Sequence, residues 1–248
     1  MLTPRIFVGA ARPPSPGADY LLADVAARHV AQSLRMRVGD PLALFTGEGG
    51  EYAATIARID RRDVVVSVRR HDAIERETAR PVTLVQATIA ADMMDFVVRK
   101  AVELGAAAIV PVDAARSQRI PAERAARRVA HWRAIAIAAC EQCGRNRVPT
   151  VQEITTFDSW LASCGDDGAS LAMLNGAAVR SLADQARTRF PRIVAVGPEG
   201  GFTPDEVRVA GARGAAAAHL GARALRAETA AMAALAVLES VGSGNESR

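Results

Sequence analysis

The chain has 248 residues, 50% of them apolar and 23% charged, the balance of a soluble globular protein with room for one large domain or two smaller ones. Its longest apolar run near the C-terminus, Ala230 to Leu238, is too short to cross a bilayer. The opening Met1-Leu2-Thr3-Pro4-Arg5 lacks the apolar core of a secretory signal, and three cysteines, an odd number, do not make a disulfide framework, so a cytoplasmic protein is expected. Net charge is +2 over residues 1–80, +4 over 81–150 and −2 over 151–248. A basic front and middle suit a polyanionic partner, and the mildly acidic end a different task. Lys100 is the only lysine; guanidinium groups suit phosphate, although an alanine- and arginine-rich composition accounts for that preference as simply.

Residues 1–70 read as mainly β. Short apolar runs stand at Arg5–Val8, Leu42–Phe45, Tyr52–Ile59 and Val64–Val68, punctuated by Gly39-Asp40 and by the hairpin signal Gly47-Glu48-Gly49-Gly50. One helix, Asp24 to Met36, interrupts them. So many short strands predict a small barrel, and the polar run His71 to Arg80, closed by Pro81, a joint. Beyond Pro81 the pattern alternates: strand Val82–Ile89, helix Met93–Leu104 stopped by Gly105, strand Ala107–Val112, and a long helix from Pro121 to about Gln142. A strand at Ser170–Leu174, a helix at Ala178–Thr188, a strand at Arg192–Val196 and a helix from Pro204 follow. The apolar stretch Ala216–Leu220 leads to a last helix from Ala227 to Ser240, and Gly242–Arg248 reads as a disordered tail. Continuous apolar strands separated by helices predict a parallel sheet covered on both faces.

Three segments carry candidate chemistry. In the first, a buried strand runs through Val196 into Gly197-Pro198-Glu199-Gly200-Gly201 and then a helix, the edge of an α/β sheet where ligands bind. Thr203, Pro204 and Glu206 spell an N-cap, a first-turn proline and a capping box. With Glu199, Asp205 and Glu206 crowding that helix start, and no Gly-Lys-Ser/Thr or Gly-x-Gly-x-x-Gly, a nucleoside-type ligand without phosphates fits better than ATP or NAD. The second segment, Leu220-Gly221 through Arg223, Leu225-Arg226, Glu228, Thr229 and Ala230, repeats the strand–loop–helix design and predicts a pocket shared with the first. The third, Cys140-Glu-Gln-Cys143, has no matching pair of ligands elsewhere, since Cys164 is isolated and the four histidines are scattered, so no metal is expected. The Gly144-Arg145-Asn146-Arg147 that follows offers donors to phosphate or base edges.

Taken together, Gln142–Pro149, Val196–Gly201, Leu220-Gly221 with Leu225–Ala230, and Phe96–Gly105 resemble, in the same order, the motifs of the SPOUT superfamily of knotted methyltransferases, and specifically the bacterial 16S ribosomal RNA uridine-N3 methyltransferase family. His29 with Leu34-Arg35-Met36-Arg37 and Gly39-Asp40 looks like that family's PUA-like RNA-binding module. The resemblance implies a PUA-like β-barrel over residues 1–75, an α/β SPOUT domain with a parallel sheet and a trefoil knot over 76–242 (a rare exception to unthreaded topology), and a flexible tail at 243–248. It implies a homodimer acting on 16S rRNA, within the 30S subunit, with S-adenosylmethionine (SAM) as cofactor. Carried over as cofactor-binding are Leu174, Val196, Gly197, Pro198, Glu199, Gly200, Gly201, Leu220, Gly221, Leu225, Arg226, Thr229 and Ala230. Arg5, His29, Arg35, Arg37, Lys100, Arg116, Arg145, Asn146 and Arg147 are carried over as RNA-binding. The chain departs from the family at Ala90-Ala-Asp-Met-Met-Asp95, acidic where relatives place a basic residue.

Removing the proton of a uracil N3–H leaves an anion that an arginine near the carbonyl oxygens would stabilise. The expected catalytic residues are Arg226 for that role and Glu199 or Glu228 as general base, although Glu228 equally suits the first turn of its helix. A 2′-O-ribose methyltransferase of the same superfamily and a non-catalytic RNA-binding protein are the alternatives.

Overall fold

The computed structural model describes residues 3–61, 63–164 and 170–243. They divide into two units: Met1–Glu77 with Cys140–Val148, and Thr78–Ala139 with Pro149–Arg248.

In the first unit five strands form one sheet: β1 (Arg5–Phe7), β2 (Asp19–Leu21), β3 (Pro41–Phe45), β4 (Glu51–Ile59) and β5 (Val64–Asp72), ordered β1-β3-β4-β5-β2. Only β1 and β3 pair in parallel; the other pairs are antiparallel. Alternation decides the inner face, because Leu42, Leu44, Val64, Val66 and Val68 are buried at every second position. The helix expected over Asp24–Met36 is shorter. Helix α1 (Asp24–Arg28) opens into a wide turn, His29–Ser33, and Arg35 at φ 53° ends it without a glycine. The ten-residue joint is also shorter, since β5 continues to Asp72.

The segment Cys140–Val148 completes this unit. Phe7 N–H donates to the Glu141 carboxylate at 3.0 Å, and the Gly49 and Val148 amides donate to the Asn146 and Gly47 carbonyls at 3.2 and 3.1 Å. The glycine turn read as a hairpin signal is thus also the seat of a segment from far along the chain, bridged at Arg147.

The second unit is a seven-stranded sheet: β6 (Thr83–Ala87), β7 (Ala108–Asp113), β8 (Thr150–Val151), β9 (Thr155–Thr156), β10 (Leu171–Leu174), β11 (Ile193–Val196) and β12 (Ala216–Ala218). Its order is β12-β10-β11-β6-β7-β8, with β9 also on β7, and every pair is parallel. The helices are α2 (Ala91–Glu103), α3 (Ala122–Cys143, whose last residues belong to the first unit), α4 (Phe157–Ser163), α5 (Leu182–Thr188), α6 (Pro204–Ala212) and α7 (Ala227–Ser243). Side chains pointing to one face of the sheet, among them Val85, Val110, Val112, Met173 and Ala195, pack with Phe157, Trp160 and Leu161 of α4 and Ala210 of α6. Helix α7 lies between α2 and α5 and touches β11 and β6. Both faces are therefore covered, which is why the strands read as unbroken apolar runs.

Strands β2, β8 and β9, of two or three residues, show no period, and helix α4, of seven, spans only two turns, so none was legible in the pattern. Helix α5 starts at Leu182 rather than Ala178 because the Ser181 hydroxyl caps it, accepting from the Asp184 amide. Helix α7 runs three residues past the expected end, so Ser243 is helical, and the expected tail from 244 to 248 lies outside the described residues.

Candidate functional site

The chain leaves β11 through Gly197, where a Cβ would lie 2.9 Å from the Phe202 amide nitrogen, and turns at Gly201 with φ 68°. Only glycine suits either place. Helix α6 then begins as expected: the Thr203 hydroxyl accepts from the Glu206 amide at 3.2 Å, and the Glu206 carboxylate accepts from the Thr203 amide at 2.7 Å, with Pro204 in the first turn. Glu206 does more than cap. It is 7% exposed, and its other oxygen accepts the Ala115 amide at 2.8 Å, from the loop after β7. That loop also supplies Arg116, which donates to the Gly200 carbonyl at 2.7 Å, and Gln118, which reaches Glu199 at 3.4 Å. Asp205 pairs with Arg208. The helix start is thus closed by its own carboxylates and open to no anion.

The second loop leaves β12 at His219, whose backbone exchanges bonds with Arg180 and Leu182 and whose Nδ1 accepts the Gly221 amide at 3.0 Å. It ends where the Arg226 carbonyl accepts from Ala230, so Arg226 stands immediately before the first turn of α7. Between the two loops and the end of β10 lies a cavity of about 220 Å³. Of the predicted cofactor residues, Leu174, Val196, Gly197, Pro198, Glu199 and Gly201 line it from one side, and Leu220, Gly221, Leu225 and Ala230 from the other. Gly200 faces Arg116 instead; Arg226, Glu228 and Thr229 are not on the wall, and Arg226 and Thr229 are exposed. Sequence reasoning missed Asn175, Gly176, His219 and Ala227, which also line it. The first two follow β10, and a loop after that strand was the available signal.

This wall is mostly apolar or backbone, with peptide groups at the glycine turns and with Glu199, Asn175, His219 and Arg223 as its polar side chains. It suits a purine and a sugar rather than a triphosphate. The model of an RNA methyltransferase domain matches residues 76–239, and that of an RNA methyltransferase PUA domain residues 22–69. The ribosomal RNA small subunit methyltransferase E of Mycobacterium tuberculosis is 30% identical over 212 residues, 84% of this chain and 80% of its own. The enzyme of that name from Neisseria gonorrhoeae, solved bound to S-adenosylmethionine, superposes with a TM-score of 0.88 at 34% identity over 97% of this chain and 98% of that one. A protein of Legionella pneumophila described as a methyltransferase, in complex with the same cofactor, gives 0.91 at 33% identity over 98% and 99%.

The chain belongs to the RNA methyltransferase family.

The basic residues of this RNA methyltransferase divide sharply by burial. Asn146 is fully buried, donating to the Ile74 carbonyl at 2.7 Å and accepting from Arg5. Arg145 is 5% exposed and donates from Nε and Nη2 to the two oxygens of Glu77. Arg5 bonds Glu51, Asn146 and the Arg145 carbonyl, and lies over the Phe45 ring. These three were expected to meet RNA; in the structure each bonds groups of the first unit. Burial resists ionisation of Glu51, but bonds from Arg76 and Arg5 outweigh it and hold its carboxyl below the ordinary value. Arg147 is exposed but paired with Glu75, and Lys100 with Glu103. Arg35 and Arg37 are exposed and His29 half-buried in the first unit, while Arg116 is exposed beside the cavity loop.

The acidic departure at Ala90–Asp95 has a structural account. It forms the first turn of α2, and Asp95 accepts from the indole of the fully buried Trp132 at 3.1 Å, with His131 Nε2 at 2.8 Å. Its carboxylate ties α2 to α3. In the cysteine pair, burial pushes the Cys140 thiol up to about 12.

Proposed function

We propose that this protein binds SAM between its two glycine loops and transfers the methyl group to N3 of a uridine in 16S rRNA of the small ribosomal subunit. The observation that carries the reading is the apolar, phosphate-averse cavity between Leu174, Gly197–Gly201 and Leu220–Ala230, together with cofactor-bound relatives of the same fold. A Cβ at Gly197 would push against the backbone of the turn, so the shape of this wall depends on glycine there. When bound, SAM supplies an electrophilic methyl on its sulfonium. The chain's own groups hold the two reactants in line, which accounts for much of the rate of a displacement.

Arg226 is the residue to hold the uracil anion. It occupies the position before a helix where Ser, Thr, Asp or Asn is normal, and its cation opposes the helix dipole. A local rule broken between two residues of the cavity wall, Leu225 and Ala227, supports a functional choice. Glu199, exposed on the wall and steadied by Gln118, and Glu228 in the first turn of α7 are the groups to take the N3 proton. Arg226→Ala should lower turnover by about 10²–10³ while SAM affinity stays within a few fold; near-normal methylation would remove Arg226 from this role.

A trefoil knot belongs to the same reading. The chain leaves β12 at the sheet edge, is tied at His219 to the Arg180–Leu182 loop, and returns to the middle of the sheet as α7. So does a cytoplasmic homodimer working on the 30S particle, to be weighed by light scattering. The deciding experiment incubates the protein with methyl-labelled SAM and either free 16S rRNA or 30S particles from an unmodified strain, then maps the product. Label at uridine N3 supports the proposal; label on a ribose 2′-oxygen, or none, overturns it.

A further inference from the structure

The loop after β7 and the first half of α3 carry cations that the cofactor cavity does not use. Between positions 116 and 131 stand Arg116, Arg119, Arg124, Arg127, Arg128 and His131, against one carboxylate, Glu123. The last four follow the spacing i, i+3, i+4, i+7 and so share one helix face, about 10 Å long at 1.5 Å per residue. By themselves they line a single concave surface of the second unit. Among the described residues, the acidic group that pairs with the row from a neighbouring element is Asp95 of α2, 2.8 Å from His131 and 3.9 Å from Arg128. Arg119, Arg124 and Arg127 are exposed, and no ion pair involves them among the described residues.

Left to itself, this arrangement works against the helix. Like charges three and four residues apart repel, and cations in the opening turns oppose the dipole. The forked donors of Arg119, Arg124 and Arg127, in no ion pair among the described residues, are complementary to a chain of phosphodiesters, each of which accepts two such bonds. The row also starts at the cavity, where Arg116 holds the Gly200 carbonyl and Gln118 holds Glu199. Resting on the RNA-modifying reading above, we propose that the face from Arg119 to His131 is a docking track for the sugar-phosphate backbone of the RNA substrate, continuous with the cofactor loops.

The test combines Arg119→Gln, Arg124→Gln and Arg127→Gln, all exposed and outside the proposed catalytic set. Binding to 16S rRNA is measured over a salt series, alongside SAM binding by calorimetry and methyl transfer. The track predicts RNA binding at least tenfold weaker, a log–log salt slope shallower by about 2, a KM for RNA that rises in step, and unchanged kcat and SAM affinity. Lysine at the same three positions should restore most of the slope. An unaltered affinity and slope would overturn the proposal. So would a variant whose only change is its oligomeric state without RNA, because the face would then join copies of the chain. Should the parent methylate no small-subunit RNA while the slope still falls, the reading of the reaction fails and the track stands.

Discussion

At Gly197 the added Cβ would meet the Phe202 amide nitrogen at 2.9 Å and Gly201 backbone atoms at 3.2 Å. Both neighbours are main chain, so nothing can rotate aside, and the turn itself has to open. Gly197→Ala should weaken SAM binding at least tenfold, about 1.4 kcal/mol, and lower the thermal midpoint as well, because the strained turn is buried. A calorimetric titration matching the parent would show slack in the loop that its geometry denies. Cys140 is a different kind of residue. Its thiol is buried, hydrogen-bonded to the Arg147 carbonyl at 3.6 Å, and raised by burial from 9.0 to about 12. Below pH 9 folded and unfolded chains both keep the proton, and the group contributes nothing to pH dependence. Between about 9 and 12 the unfolded thiol ionises while the folded one does not, so stability falls as pH rises through that window. Urea midpoints at about pH 8 and about pH 10.5 should therefore separate for the parent more than for Cys140→Ala; equal separations would mean that the folded thiol titrates normally.

At the scale of the element, the start of α6 was legible because capping is local: Thr203, Pro204 and Glu206 sit within four residues and specify each other. The second partner of Glu206 was not, since Ala115 lies 91 residues upstream and contributes only a backbone amide. Glu206→Ala breaks both connections and takes the carboxylate acceptor from two part-buried N–H groups, those of Thr203 and Ala115, so it should cost about 2 kcal/mol of unfolding free energy, read by denaturant titration. Weaker SAM binding should accompany it, because the same carboxylate holds the loop that steadies Gly200 and Glu199. A loss below about 0.5 kcal/mol would mean that water replaces the carboxylate at no cost. The same contrast explains the rest of the fold. Strands β6 and β11 announce themselves as apolar runs because both sheet faces are covered, whereas β8 and β9, two residues each, exist only through pairing with β7. The two loops of the cavity were legible as glycine turns before helices. That Arg226 stands outside the wall while His219 stands on it depends on how the second loop folds back, which no local pattern encodes.

At the scale of the molecule, one placement has the largest consequence. Cys140–Val148 takes in the end of a long helix and the arginines after it, whose donors the sequence offers to phosphate or base edges. It groups with the first unit: the partners of Glu141, Arg145, Asn146 and Arg147 are Phe7, Glu77, Ile74 and Glu75. A cut at the apparent boundary near residue 76 therefore removes a structural piece of the first unit, and the piece is polar, so it left no hydrophobic signature. The two roles predict different behaviour for Asn146→Ala. A buried structural amide leaves the Ile74 carbonyl and Arg5 without their partner, at a cost of about 1–3 kcal/mol. The amides of Phe7, Gly49 and Val148 should then lose exchange protection, since local openings follow the contacts that close them. An RNA-contacting amide would instead leave stability and exchange intact and weaken rRNA binding at unchanged salt slope, because a neutral side chain displaces no counterion. With Asn146 fully buried and bonded at 2.7 Å, the first pattern is the expected one, and intact stability with weakened RNA binding would return this segment to the RNA surface.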